Sequence, residues 1–265
     1  MKKQAGVLLV LCTLVISLLS CGQASGALST VDRIKEAGVL KAGVALSWPP
    51  MGFRDDKGAP IGFDVDWATK MAEMLGVRVD FIDLNVESRI PALLSGQVDV
   101  LFSDMTRTSQ RAEVIDFSIP YLRCGIKTMT RAGSPYKEID DINDPKVKIV
   151  AHQGSTGEDL ALALAPKAEI IRVSDFADQI LYLMQGKADV TFDDSILVDY
   201  AVKESGGALE TRDRLYTYDP ICVGLPKDDF EFISWVNMFV SLQINQGWQL
   251  TIYEKWFGAP PEAKP

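Results

Sequence analysis

The chain has 265 residues, with 27 Lys and Arg against 36 Asp and Glu and a formal charge of −9. Removing residues 1–20 takes away Lys2 and Lys3 and no acids, moving the charge to −11, and an acidic chain without clustered basic residues is set aside as a nucleic-acid binder. About 240 mature residues exceed what one ordinary core needs and suit two lobes of roughly 100 each.

Lys2 and Lys3 precede an apolar run over residues 7–19, too short for a comfortable membrane span and flanked as an export signal is. The chain is therefore expected to leave the cytoplasm. The run ends Leu18-Leu19-Ser20-Cys21-Gly22, which resembles a bacterial lipobox, where Cys21 would be lipidated and become the mature N-terminus. A plain signal peptide cut near Ala24-Ser25-Gly26 is the rival reading. Of the four cysteines, Cys12 lies in the signal and Cys21 in the lipobox, which leaves Cys124 and Cys222 without the close-spaced partners of a zinc site.

After a small, polar tether, residues 31–37 read as a short helix stopped by Gly38, and residues 39–45 as a first buried strand. That strand delivers Ser47-Trp48-Pro49-Pro50 to its carboxyl end, where the prolines fix a rigid loop and place Trp48 at the mouth of a cleft. The run Arg54-Asp55-Asp56-Lys57-Gly58 is a solvated hairpin turn. A helix is expected from Gly62-Phe63-Asp64, with Asp64 as N-cap and Val65, Ala68, Met71, Ala72 and Leu75 on one face, closed by Gly76. Val77, Val79 and Phe81 alternate with polar residues as a half-buried strand does, and Ser88-Arg89-Ile90-Pro91 starts the next helix with proline in its first turn.

One stretch occurs twice. Residues 93–104 and 183–194 share Leu93/Leu183, Gly96/Gly186, Asp99/Asp189, Val100/Val190, Phe102/Phe192 and Asp104/Asp194. Each copy reads as an amphipathic helix ended by glycine, then a short buried strand ended by an acid. Ligands of open α/β sheets bind beyond the carboxyl ends of the strands, so Ser103-Asp104 and Asp193-Asp194 mark two half-sites. The implied architecture is two similar α/β lobes with a small ligand held between them. From Phe230 onward the apolar spacing is helical, with a break at Gly247, and these stripes are assigned to packing on the first lobe.

Gly62-Phe63-Asp64, Arg89-Ile90-Pro91-Ala92-Leu93, Thr106 to Arg111, Asp116-Phe117-Ser118, Gln153-Gly154-Ser155-Thr156, Val223-Gly224-Leu225-Pro226 and Glu254-Lys255-Trp256-Phe257-Gly258 appear in order along the mature chain. Together they resemble the successive signatures of family-3 extracellular solute-binding proteins, the amino-acid receptors of ABC importers. The resemblance implies the type II periplasmic-binding-protein fold, two α/β lobes joined by two crossing hinge strands. The crossings are expected near residues 122–125 and 221–224. The resulting organisation is a signal peptide (1–20), a tether (21–30), lobe 1 (31–122), lobe 2 (123–222), a return to lobe 1 (223–258) and a tail (259–265). Cys124 and Cys222 then fall in the two crossings, and export suggests that they form a disulfide. The resemblance also implies a monomer that hands its ligand to a membrane permease and touches the membrane only through its lipid anchor, with no cofactor and no metal.

An α-amino acid needs a cation with N–H donors on one side and a carboxylate on the other. Arg111, with a planar fork suited to a carboxylate, matches the family arginine, and Ser155-Thr156 begins a helix whose free N–H groups favour an anion. Asp194 matches the family acid that receives the ligand ammonium. By position Trp48, Val86, Arg89, Ser103, Asp104, Asp193 and His152 are expected to border the pocket, and Thr106 is counted among the ligand-binding residues. Asp104 departs from the small or hydroxyl residue of relatives and favours a cationic side chain unless it pairs with Arg107 or Arg111, whereas Arg89 resembles an arginine of acidic-amino-acid receptors. His152 is expected to be a peripheral, hydrogen-bonded loop residue. The rival function is an enzyme, since the same fold includes cyclohexadienyl dehydratases; in that branch a glutamate follows the strand-end aspartate by three residues, where this chain has Leu197.

Overall fold

The computed structural model describes residues 29–258, so the export signal, Cys21, most of the tether and the tail lie outside the described residues. Helix α1 (Thr30–Ala37) is capped by Ser29, whose Oγ accepts from the Asp32 amide, and Gly38 ends it in the left-handed conformation. Two five-stranded sheets follow. The first runs in the order β4 (Arg78–Asp83), β1 (Val39–Val44), β5 (Val100–Leu101), β12 (Asp219–Leu225) and β6 (Asp116–Cys124). The second runs β11 (Leu209–Thr211), β7 (Ile126–Arg131), β10 (Val190–Asp194), β8 (Lys148–His152) and β9 (Glu169–Val173). A short hairpin pairs β2 (Phe53–Arg54) with β3 (Pro60–Ile61).

The sheets share one wiring. In each, a central strand (β1 or β8) has parallel neighbours on both sides, and two antiparallel strands extend the far edge. The repeated stretch is the reason for the likeness. Helices α3 (Arg89–Leu94) and α7 (Phe176–Met184) are followed by Gly96 and Gly186 at φ 71° and 70°, a conformation in which a Cβ is strained. Asp99 then exchanges backbone and side-chain bonds with Lys41, and Asp189 does the same with Lys148, so each aspartate locks the repeat strand beside its central strand. Val100 and Val190 are fully buried after them.

Between sheets the chain passes first through Gly125, which joins β6 to β7, and returns between Thr211 and Asp219. A Cβ on Gly125 would stand 2.0 Å from the Thr217 carbonyl oxygen, so only glycine lets the two passages run this close. The return therefore precedes residues 221–224, which lie inside β12 and pair with β6 in the first sheet. The expected disulfide is corrected by the same register. Cys124 stands opposite Asp219, whereas Cys222 is three residues further along β12 opposite Pro120. At about 3.3 Å per residue that offset exceeds the roughly 7 Å limit for a disulfide. Both thiols are free and buried.

Helix α2 (Phe63–Leu75) packs on the first sheet with helices α9 (Phe230–Asn245) and α10 (Trp248–Phe257). Trp67 is enclosed by Tyr121, Phe239 and Trp248, with ring centroids 5.1–5.6 Å away, and Lys255 and Trp256 both bind Asp66 at 2.7 Å. The C-terminal segment is thus part of the first lobe, as its apolar spacing predicts. The N-cap of α2 is Gly62 and not Asp64. Asp64 is drawn inward instead, for a reason that lies in the site.

Candidate functional site

The carboxyl ends of β1 and β5 in the first lobe face those of β8 and β10 in the second. Trp48, after β1, exchanges two backbone hydrogen bonds with Gly52 at 2.8 and 2.9 Å, which fixes its loop. Its ring is buried, 4.9 Å from the His152 ring at the end of β8 and 5.3 Å from the Arg89 guanidinium. Ser47 donates to Asp175 across the gap at 3.1 Å, and Arg111 donates to the Gly154 carbonyl at 3.2 Å. The two lobes are therefore closed on one another.

One side of the enclosed space suits an anion. Ser155 caps helix α6 (Thr156–Leu164), its Oγ accepting from the Glu158 amide at 3.0 Å. The next amides, of Thr156 and Gly157, have no acceptor within the helix, because their turn has only just begun. Arg111 adds its guanidinium from the opposite lobe and is steadied by the Thr106 carbonyl at 2.9 Å. Its pKa is lowered, chiefly by burial.

The other side is acidic. Asp194 ends β10, and Asp104 follows β5 with φ 50°, in the left-handed region. The donor atoms of Asp104, Cys124 and Asp194 all lie within 4.8 Å of one another. Cys124 donates to Asp194 at 3.4 Å, while among the described residues neither carboxylate oxygen of Asp104 has a hydrogen-bond partner, and the residue is 2% exposed. Burial, reinforced by Asp193, pushes Asp194 up to about 7. Asp104 is held well above the ordinary carboxylate range by burial and then by Asp194 and Asp64. Two enclosed carboxylates this close cannot both stay ionised unless a cation, or a proton on one of them, comes between.

Asp64, the displaced cap, supports this arrangement from behind. It accepts from the Tyr121 hydroxyl at 2.6 Å and from the Asp104 amide at 2.8 Å, so it holds the strained backbone of Asp104 in place. Burial raises its pKa to about 7 against the pull of those two donors. The spacing Gly-Phe-Asp matched a helix start so well that it concealed this tertiary role.

Trp48, Arg89, Ser103, Asp104, Thr106 and Arg111 come from the first lobe, and Ser155, Thr156 and Asp194 meet them from the second. Ser103 is fully buried, and its Oγ lacks a partner among the described residues. Thr106 forms a bridge to Ile221 on β12. Arg89 turns two of its nitrogens to the backbone: Nε donates to the Val86 carbonyl and Nη1 to those of Ser103 and Asp104. Burial, then Arg111, lowers its pKa to about 9. Asp104 forms no ion pair with Arg107 or Arg111. The expectation for His152 is corrected. It is fully buried between Trp48 and Phe176, with Nδ1 3.5 Å from Asp193 and neither ring nitrogen in a hydrogen bond among the described residues. A single histidine in a strand-end loop gave no sign of which aromatic rings would enclose it.

The profile of bacterial extracellular solute-binding proteins, family 3, matches residues 40–259. The ABC transporter glutamine-binding protein of Bacillus subtilis (strain 168) is 26% identical over 98% of this chain and 99% of its own length. The cyclohexadienyl dehydratase of Pseudomonas aeruginosa is 27% identical over 82% of this chain and 77% of its own. Among solved structures, an ancestral amino-acid-binding protein, a precursor of cyclohexadienyl dehydratase, superposes with a TM-score of 0.81 at 33% identity, covering 87% of this chain and all of that one. Paired sheets of one wiring, strand ends converging on a closed interlobe space and a profile spanning most of the chain have one explanation: this chain belongs to the bacterial extracellular solute-binding proteins of family 3.

Proposed function

We propose that this chain captures a free α-amino acid between its lobes and delivers it to the membrane permease of an ABC importer. The observation that carries the reading is the split polarity of the interlobe space. Arg111 and the start of α6 face one side and Asp194 the other, the order of charge on an α-carbon that bears a carboxylate and an ammonium. Arg111 and Asp194 belong to different lobes, so one ligand satisfies both only when the lobes close. Cys21, in its lipobox, is the proposed anchor, and the chain acts as an exported monomer.

The dehydratase reading is not favoured. Eliminating water and carbon dioxide from prephenate or arogenate needs a positioned general acid. Three residues after Asp194, helix α8 (Ser195–Glu204) carries Leu197, fully buried and without an ionisable group. The chain is therefore read as a binding protein and not an enzyme.

A thermal-shift screen of the mature chain against the amino acids, with prephenate and arogenate included, tests this. A ligand that binds only the native state adds about 2.7 kcal/mol at a concentration 100 times its Kd, which raises Tm by several degrees. At least one amino acid is expected to do so. Failure of every amino acid, or turnover of prephenate, would contradict the reading.

A further inference from the structure

We infer that the amino acid taken by this site carries a second positive charge, and that Asp104 is the residue that selects it. The inference rests on the proposed function and deepens it, through the pairing of each enclosed charge.

Four acids and two arginines line the closed space. Arg111 is matched by the ligand carboxylate and Asp194 by its ammonium. Asp64 has the Tyr121 hydroxyl and the Asp104 amide. Asp193 accepts from the Asp194 amide through one oxygen at 2.8 Å, while its other oxygen lies 3.5 Å from His152 Nδ1 and makes no hydrogen bond among the described residues. Arg89 directs Nε and Nη1 to backbone carbonyls. Glu158, nearby on α6, is tied to Arg172 at 2.6 Å. Asp104 is the acid among these with neither oxygen in a hydrogen bond to the described residues, at 2% exposure.

A zwitterion with a neutral side chain adds no net charge, so Asp104 must either take up a proton or stand buried as an unpaired charge, and neither gains a partner from the ligand side chain. An acidic side chain adds a second anion to a space already dominated by acids. A guanidinium or ammonium on the ligand side chain supplies the donors that Asp104 lacks. Arg89 makes no hydrogen bond to the Asp104 carboxylate: its Nε is directed to the Val86 carbonyl and its Nη1 to those of Ser103 and Asp104. Its charge offsets part of the repulsion and makes the acid tolerable while the site is unfilled. The opposing hint in the sequence, that Arg89 receives an acidic ligand, is weakened by the same three carbonyls, which take its Nε and Nη1.

Calorimetric titration of the mature chain with L-arginine, L-lysine, L-glutamine and L-glutamate tests this, alongside Asp104→Asn. Asparagine tolerates the left-handed backbone at this position and removes only the charge. Arginine or lysine is expected to bind wild type at least about 30-fold more tightly than glutamine, the loss typical of a buried charge without its partner. In Asp104→Asn that preference should fall below about threefold, with circular dichroism and the ligand-free melting profile confirming an intact fold. If glutamine or glutamate binds wild type as tightly as either cationic ligand, the inference is wrong and amino-acid capture stands. Equal losses for every ligand in Asp104→Asn would place Asp104 on the α-ammonium beside Asp194 and also overturn it. If none of the amino acids in the wider screen binds, the proposed function fails and this inference with it.

Discussion

Arg111→Ala is expected to weaken amino-acid binding by roughly 30- to 4000-fold, about 2–5 kcal/mol, while the chain stays folded. The side chain holds no core together. Among the described residues its guanidinium donates to the carbonyls of Thr106 and Gly154, and its helix α4 (Ser109–Ala112) keeps its own cap through Thr108. Removing it leaves a ligand carboxylate enclosed with only helix amides to receive it, and amides alone do not neutralise the charge. Calorimetry on the variant, with circular dichroism to confirm folding, reads both parts. Binding as tight as wild type would mean that the carboxylate is held elsewhere.

Asp194→Ala is expected to fall in the same range, and Asp194 also gives the site a pH dependence. With its pKa raised to about 7, the ligand-free carboxyl is largely protonated at pH 5. An ammonium binds the carboxylate form and displaces that proton, so affinity rises with pH, by as much as about 100-fold between pH 5 and pH 8 for one proton released. Stability runs the other way. A carboxyl whose folded pKa lies above its unfolded value contributes stability below the ordinary carboxylate range and loses it as pH rises through about 7. Ligand-free Tm and affinity should therefore shift with opposite signs over this window, and Asp194→Asn should reduce both dependences. Parallel slopes would show that another group controls the site.

Much of this arrangement is legible in the sequence because local patterns and tertiary roles coincide. The repeat predicts two half-sites, since Gly96 and Gly186 end helices and Asp99 and Asp189 lock strands in the same way in both lobes. Ser155 reads as a cap and is one. The misreadings arise where a local pattern competes with a distant partner. Asp64 fits an N-cap by spacing, yet the Tyr121 hydroxyl and the Asp104 amide draw it into the site. Cys124 and Cys222 both lie on the paired strands β6 and β12, but a disulfide depends on register, and theirs is offset by three residues. His152 has no periodic signal at all, and its burial is decided by Trp48 and Phe176 from separate elements.

Capture between two lobes is tested most directly by small-angle scattering of the mature chain with and without the amino acid that the thermal screen identifies. When both are ionised and no cation lies between them, Asp104 and Asp194 repel across the gap and favour separated lobes. A smaller radius of gyration is expected at saturating ligand, with a bound profile that matches the closed arrangement in which Trp48 meets His152 and Arg111 meets Gly154. An unchanged radius under saturating ligand would contradict it.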